Sequence, residues 1–191
     1  MRCHLIFGGA RSGKSAYAEK LAAKLSADGG RQVIYIATAA AGDSDSEMQS
    51  RIAHHRQRRP AGWITLEQPL ELGTAIRRYS SPRHILLIDC LTLWLSNCVL
   101  SNATEFPDIG SINSPPLFLE QRAALLSALS AAAGEVILVS NEVGMGIVPM
   151  GALSRWFVDE AGRLNQALAA ECEQVVWVAA GLPLLLKGQQ C

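Results

Sequence analysis

The chain lacks an excess of charge of either sign. Its 191 residues include 17 Lys and Arg and 17 Asp and Glu, so the formal net charge at pH 7 is zero. Nonspecific binding to nucleic acid depends on a surplus of basic side chains that contact phosphates. We therefore expect no nucleic-acid partner.

Long apolar runs are also missing. The longest stretch without a charged residue, Cys90 to Thr104, includes Asn and Ser and is too short to span a bilayer as a helix. The first residues, MRCHLIFGG, do not contain an apolar segment that ends in a small-residue cleavage site, which argues against a signal peptide. We expect a soluble, cytoplasmic protein with no membrane partner.

Cysteine is scarce and irregularly spaced. The five cysteines lie at positions 3, 90, 98, 172 and 191, and no two of them have the CxxC spacing of a metal-binding or redox pair. The sequence therefore predicts neither a zinc site nor a disulfide framework, and we expect buried or reduced thiols.

The chain does have a regular alternation of apolar runs and segments of helical periodicity. Residues 85–88 and 136–139 contain only Ile, Leu and Val, which is typical of strands covered on both faces. The alternation predicts an α/β fold, with a mostly parallel sheet and helices on both faces, in a single domain over residues 1–191. The predicted strands are 5–7, 33–38, 63–67, 85–88, 136–139 and 175–179, and the predicted helices are 15–26, 44–57, 69–79 (with Pro69 in its first turn), 92–100, 118–133 and 153–171.

One segment is predicted to be a long irregular loop. Residues 101–116 contain three Pro, three Ser and two Asn, a composition that favours turns over helix or strand. We interpret it as a lid or a mobile insert.

A glycine-rich segment after the first strand matches the phosphate-binding pattern G-x-x-x-x-G-K-[ST]. Its glycines let backbone N–H groups turn toward phosphate oxygens, and the following helix N-terminus adds positive potential. Lys14 is expected at the β- and γ-phosphates, and the Ser15 hydroxyl is expected to ligate Mg²⁺. The predicted nucleotide-binding residues are Gly8, Gly9, Ala10, Arg11, Ser12, Gly13, Lys14 and Ser15.

Asp89 is the candidate second ligand for Mg²⁺. A phosphate-binding loop needs such an acid at the carboxyl end of a neighbouring strand, and Asp89 directly follows the apolar run 85–88. After the run 136–139, Asn141 and Glu142 are expected at the same edge of the sheet, with Gly144 and Gly146 allowing close approach or a hinge.

Residues 51–59 form a basic segment with two histidines. On a helix, His55 shares the apolar face of Met48 and Ile52, whereas His54 lies on a polar face. Nearby arginines favour the neutral imidazole, which can attack phosphorus, and they also screen phosphate charge. A solvated helix face or a hydrogen-bonded core histidine remains the alternative.

Seven segments together resemble one family, the bifunctional adenosylcobinamide kinase/adenosylcobinamide-phosphate guanylyltransferases of cobalamin biosynthesis. The resemblance implies a RecA-like P-loop domain and a homotrimer. The segments are GGARSGKS (8–15), YIATA (35–39), EMQSRIAHHR (47–56), RPAGWITLE (59–67), LLIDCLTLWLSN (86–97), NEVGMGIVP (141–149) and FVDEAGRLNQ (157–166).

The resemblance also implies two reactions. The first phosphorylates the aminopropanol hydroxyl of adenosylcobinamide with ATP or GTP. The second transfers GMP from GTP to that phosphate through a guanylyl-histidine, and it releases pyrophosphate. The substrates are thus a corrinoid and nucleoside triphosphates, with Mg²⁺ as cofactor.

The family's nucleophilic histidine corresponds to His55. Because His54 is adjacent in the sequence, it remains the alternative candidate for the nucleophile. Lys14 is the second catalytic residue. Beyond the phosphate-binding loop, the nucleotide contacts implied by the resemblance are Ala37, Thr38, Ala39, Arg56, Gln57, Arg58, Glu67 and Asp89.

Two other functions remain open from the residues alone. A P-loop kinase or NTPase that acts on another small molecule would share the loop and Asp89. A regulator that binds GTP without turnover would need neither His55 nor the turn at 141–149. Labelling of His55 by the α-phosphate of GTP would distinguish the bifunctional enzyme from both.

Overall fold

The structure, a computed structural model, describes residues 2–39, 60–101 and 105–189. Within these residues, one sheet of seven strands has the order β3-β2-β4-β5-β1-β6-β7. Every neighbouring pair is parallel except β6 and β7, which are antiparallel. The strands are β1 (Arg2–Gly8), β2 (Gln32–Ala37), β3 (Ile64–Glu67), β4 (His84–Asp89), β5 (Glu135–Asn141), β6 (Gln174–Ala179) and β7 (Leu182–Lys187).

Helices cover both faces of the sheet and create two apolar cores. One face packs against α1 through Leu21 and Leu25, and the other packs against the remaining helices. Alternate residues of each central strand enter opposite cores, as a period of two requires, which explains why the central strands are apolar throughout. The helices are α1 (Lys14–Gly29), α2 (Leu72–Tyr79), α3 (Leu91–Leu100), α4 (Pro116–Ser130) and α5 (Ala152–Glu171).

The mostly parallel α/β sheet with helices on both faces is confirmed. All six predicted strands are present, as are five of the six predicted helices. The predicted helix 44–57 lies outside the described residues. Residues 105–115 contain neither helix nor strand, in agreement with the predicted loop. No helix in the described part of the chain is long and apolar enough to cross a membrane.

Two predictions about secondary structure were wrong. Helix α2 begins at Leu72, so Pro69 is not in its first turn; instead, the Pro69 carbonyl accepts a hydrogen bond from the Asn97 amide. The strand β7, which contains Pro183, was not predicted. It pairs only with β6, and proline is tolerated in an edge strand that lacks a partner on one side.

The prediction that no disulfide is present was also wrong. The structure contains a disulfide between Cys3 in β1 and Cys172, two residues before β6. Parallel pairing of β1 with β6 brings them together, and the Glu173 N–H donates to the Cys3 carbonyl. Their separation of 169 residues gives no local signal in the sequence. Cys90 and Cys98 are free thiols.

Helices α2 and α4 pack too closely at Gly73 to admit a side chain. A Cβ at Gly73 would lie 2.6 Å from the backbone of Ala124. We expect Gly73→Ala to lower the free energy of unfolding by about 1–3 kcal/mol, although alanine is intrinsically the better helix former. The midpoint of urea unfolding measures the change.

Gly162 in α5 is the matched control. A Cβ there would meet no atom within 4 Å, so Gly162→Ala should raise stability by up to about 1 kcal/mol. Equal effects of the two substitutions, in either direction, would contradict the close packing of α2 on α4.

Candidate active site

The phosphate-binding loop connects β1 to α1 in a conformation that depends on glycine. Gly13 has a φ of 95°, in the left-handed region. A Cβ at Gly8 would lie 2.2 Å from the Val178 carbonyl oxygen on β6. The loop is also tied to the turn after β6, because the Gly181 N–H donates to the Ser12 carbonyl at 2.8 Å. The pattern predicted from the sequence therefore forms the expected strand–loop–helix unit.

Lys14 begins α1, and its ammonium group is held under the loop. The side chain is 8% exposed, and Nζ donates to the Gly9 carbonyl at 3.2 Å. Burial lowers the pKa of Lys14 below the usual value for lysine, and the opposing charge of Asp89 offsets this effect only in part. A bound anion would supply the missing negative charge.

The loop also has a buried polar atom that is not hydrogen-bonded to any described residue. This atom is the hydroxyl oxygen of Ser12. Ser12 faces a cavity of about 340 Å³ beside the loop, lined by Gly9, Ala10, Arg11, Ser12, Glu142, Met145, Trp177, Val178, Ala179 and Ala180. An unsatisfied hydroxyl in a glycine-rich loop fits a phosphate oxygen as acceptor.

Asp89 reaches the same face of the sheet as Lys14. In β4, Ile85 and Leu87 pack against α1, and Asp89 is the next residue in that alternation. The sequence predicted Asp89 at the end of a neighbouring strand, but β4 is not adjacent to β1, because β5 lies between them. The negative charge of Asp89 raises the pKa of Lys14 and so opposes the effect of burial.

Tyr35 in β2 contacts the Asp89 carboxylate. Its hydroxyl donates to Asp89 Oδ2 at 3.0 Å, and Tyr35 is almost fully buried on the α1 face. Tyr35 was not predicted as part of the site. Its alternation with Val33 in the predicted strand could have placed it on this face, but its contact with Asp89 depends on the register of β2 against β4.

The turn after β2 is tied to the turn after β4. The Thr38 hydroxyl donates to the Cys90 carbonyl and accepts from the Cys90 N–H, both at 2.9 Å. The amide of Asn97 in α3 donates to the Thr38 carbonyl at 2.7 Å. Thr38 is fully buried, so its side chain fixes the edge of the sheet beside Asp89. Burial raises the pKa of the Cys90 thiol, and the nearby Asp89 charge raises it further.

The carboxyl end of β5 lies between those of β1 and β4. The Asn141 amide donates to the Thr92 hydroxyl at 2.8 Å, and the Asn141 carbonyl accepts from Asn165 in α5 at 3.3 Å. The Glu142 N–H donates to the Gly8 carbonyl at 3.0 Å. Asn141 and Glu142 thus lie at the predicted edge; Thr92 and Asn165 were not predicted as part of the site.

The structure does not bring every predicted residue to the phosphate-binding loop. Ala37, Thr38 and Ala39 lie at the end of β2, and Glu67 ends the edge strand β3. Glu67 is four strand spacings from β1, about 20 Å. The predicted residues His54, His55, Arg56, Gln57 and Arg58 lie outside the described residues.

Ser15 and Asp89 have the chemistry that a Mg²⁺ ion needs. Magnesium in nucleotide sites is bound by one or two protein oxygens together with phosphates, rather than by a cage of carboxylates. Ser15 is in the first turn of α1, and the Asp89 carboxylate lies on the same face of the sheet. Across residues 2–39, 60–101 and 105–189, no group of three or more His, Cys, Asp or Glu could hold a metal ion. The donor set therefore fits Mg²⁺ bound with a nucleotide.

Comparison with known sequences gives a consistent result over nearly the whole chain. A family model described as cobinamide kinase / cobinamide phosphate guanyltransferase matches residues 4–186. The bifunctional adenosylcobalamin biosynthesis protein CobP of Pseudomonas aeruginosa is 51% identical, over 97% of this chain and 97% of that protein. The corresponding protein CobU of Escherichia coli is 39% identical, over 96% of this chain and 98% of its own length. CobU of Salmonella typhimurium is 38% identical, over 96% of this chain and 98% of its own length.

Solved structures share the fold. The flagellar accessory protein FlaH from Methanocaldococcus jannaschii superposes with a TM-score of 0.51 at 10% identity, over 98% of this chain and 79% of its own. An ATPase from the type III secretion system of pathogenic bacteria superposes with a TM-score of 0.54 at 13% identity. The superposition covers 96% of this chain and 56% of the ATPase chain. The chain therefore has the RecA-like P-loop fold predicted from the sequence.

The hydrogen bond from Tyr35 to Asp89 gives a prediction about metal dependence. Tyr35→Phe keeps the buried ring and removes the donor that orients the carboxylate. We expect the Mg²⁺ concentration for half-maximal nucleotide-dependent activity to rise severalfold, and Asp89→Asn to raise it further. Titration of Mg²⁺ at fixed nucleotide measures both.

Tyr79→Phe is the control, since Tyr79 ends α2 on the opposite face of the sheet. It should leave the Mg²⁺ requirement unchanged. An unchanged requirement in Asp89→Asn would mean that Glu142, whose N–H donates to the Gly8 carbonyl, has this role, because Glu67 lies four strands from β1.

Proposed function

The chain belongs to the cobinamide kinase/cobinamide phosphate guanyltransferase family, and we propose that it performs both reactions at one phosphate-binding loop. In the first reaction, ATP or GTP phosphorylates the aminopropanol hydroxyl of adenosylcobinamide. In the second, GMP passes from GTP to that phosphate, pyrophosphate leaves, and adenosylcobinamide-GDP is the product. The observation that carries the proposal is the buried Lys14, whose ammonium group donates to the Gly9 carbonyl of a glycine-rich loop.

The kinase reaction requires mainly positioning and neutralisation of charge. In our proposal, backbone N–H groups of residues 8–13 bind phosphate oxygens, and Lys14 contacts the β- and γ-phosphates. The Ser12 hydroxyl, which has no hydrogen-bond partner among the described residues, donates to a phosphate oxygen. The hydroxyl oxygen of the corrinoid then bonds to the γ-phosphorus, its proton is released, and the nucleoside diphosphate leaves.

Ser15 and Asp89 are the residues that would hold Mg²⁺ in this site. When bound, the ion neutralises charge on the bridging phosphate oxygens. Tyr35 holds the Asp89 carboxylate in one orientation through its hydroxyl. The two hydrogen bonds between the Thr38 hydroxyl and the backbone of Cys90 stabilise the turn that follows Asp89.

The guanylyltransferase reaction proceeds, in our proposal, through His55. A neutral imidazole nitrogen bonds to the α-phosphorus of GTP, and the bond from that phosphorus to the bridging oxygen breaks to release pyrophosphate. An oxygen of the corrinoid phosphate then attacks the same phosphorus and displaces the imidazole. The family resemblance and the helical pattern predicted from the sequence around His55 support His55 over His54.

The remaining expectations belong to the same proposal. Arg56, Gln57 and Arg58 contact the nucleotide beside His55, as do Glu67 and the turn 37–39. The protein is a single domain over residues 1–191, forms a homotrimer, acts in the cytoplasm and does not bind nucleic acid. The relatives match over 96% or more of this chain, which supports an enzyme of the same type.

Loss of the Lys14 charge should disable both reactions. We expect Lys14→Ala to lower kcat/KM for each by roughly 10²–10³-fold, because one ammonium group contacts the triphosphate in both. Conversion of adenosylcobinamide to its phosphate and to its GDP derivative is followed by mass spectrometry. Lys20→Ala, which removes an exposed lysine from the same helix, is the matched control and should have no effect. Near-normal guanylyl transfer in Lys14→Ala would imply a second nucleotide site.

The histidine doublet separates the two reactions. His55→Ala should abolish guanylyl transfer and keep kinase activity, because phosphoryl transfer needs no protein nucleophile. His54→Ala, the adjacent control, should keep both. The mass of the protein after incubation with GTP, mapped by peptide, shows which residue gains one GMP, and a phosphoramidate adduct should be lost in acid and stable in base. A GMP on His54, or a labelled His55→Ala protein, would contradict the assignment.

A further inference from the structure

The segment after β5 exposes apolar side chains beside the phosphate-binding loop. In residues 143–150, which we call the apolar loop, Ile147 is 97% exposed and Met150 is 93% exposed; Met145 and Val148 are also mostly exposed. The loop contains no charged residue. Apolar side chains clustered on a protein surface in this way typically mark a binding site.

The apolar loop adjoins the end of the phosphate-binding loop at which phosphate would be transferred. Met145 and Glu142 line the same cavity as Gly9. Gly9 also accepts the hydrogen bond from Lys14 Nζ, which is the group expected at the β- and γ-phosphates. A molecule that rests on the apolar loop therefore lies next to the phosphoryl group of a bound nucleotide.

The base of the apolar loop is fixed, although its side chains face solvent. The Arg155 guanidinium donates to the carbonyls of Pro149 and Met150, and it also donates to the Gly110 carbonyl at 3.4 Å. The Ala152 N–H donates to the Asp108 carbonyl at 3.1 Å. The loop predicted at 101–116 thus supports the apolar loop, and it exposes Ile109 nearby.

We propose that the apolar loop binds the macrocycle of the corrinoid substrate, an inference that rests on the proposed function. A corrin ring is large, carries methyl groups on its faces and amides on its rim, and would pair with uncharged apolar side chains rather than with ions. Methionine adapts its shape to such a surface. The aminopropanol arm then enters the cavity between Gly9 and Glu142, where its hydroxyl meets the nucleotide.

Direct binding of adenosylcobinamide tests the proposal. Equilibrium dialysis without nucleotide, read by the visible absorbance of the corrinoid, gives Kd for the full-length protein. Met145→Ser and Ile147→Ser should each raise Kd about fivefold or more. In steady-state kinase assays, both should raise KM for the corrinoid and leave KM for ATP unchanged. Both side chains are exposed, so neither variant should lose its fold, which thermal unfolding checks.

Leu186→Ser is the matched control. Leu186 is an exposed leucine near the end of β7, beside the amino end of β6, whereas the apolar loop lies at the carboxyl end of the parallel strands. Leu186→Ser should leave Kd for adenosylcobinamide and KM for the corrinoid unchanged. Wild-type Kd in Met145→Ser and Ile147→Ser, with active wild-type enzyme, would overturn the corrinoid site and leave the proposed function intact. Failure of the wild-type protein to phosphorylate adenosylcobinamide would instead overturn both. A fall in the mass of the assembly in these variants, measured by light scattering, would assign the apolar loop to an interface between copies and overturn the proposal.

Discussion

The burial of the Lys14 ammonium group is the constraint on which the rest of the site depends. A lysine that is 8% exposed and bonded to one carbonyl has lost most of its hydration, and Asp89 does not fully offset that loss. The fold holds the charge in place through the close approach of Gly8 to β6 and the hydrogen bond from Gly181 to Ser12. A buried ammonium group beside a glycine-rich loop is suited to bind a triphosphate.

The order of the strands determines what surrounds this charge. Because β5 lies between β1 and β4, the turn that begins at Glu142 leaves the sheet between the phosphate-binding loop and the strand that ends at Asp89. Asp89 and Tyr35 approach from one side, where their strands pack on α1, and the apolar loop extends from the other. In our account, the nucleotide and the metal thus occupy one side of the phosphate-binding loop, and the second substrate reaches its exposed end.

Local patterns in the sequence predicted much of this arrangement. The phosphate-binding loop, the apolar strands and the carboxylate at the end of 85–88 depend on residues close together in the chain, and the structure contains all three. Contacts between distant segments could not be predicted in this way. The position of β5 beside β1, the bond from Cys3 to Cys172, and the donation from Tyr35 to Asp89 all depend on strand order and register.

Competition between the two nucleotide-dependent reactions tests most directly whether one phosphate-binding loop serves both. A non-hydrolysable ATP analogue is titrated into two assays, the phosphorylation of adenosylcobinamide with GTP as donor and the transfer of GMP to adenosylcobinamide phosphate. A single loop predicts inhibition competitive with GTP in both assays, with the same inhibition constant. Inhibition of phosphorylation alone, with GMP transfer at its uninhibited rate, would contradict the account and require a second nucleotide site.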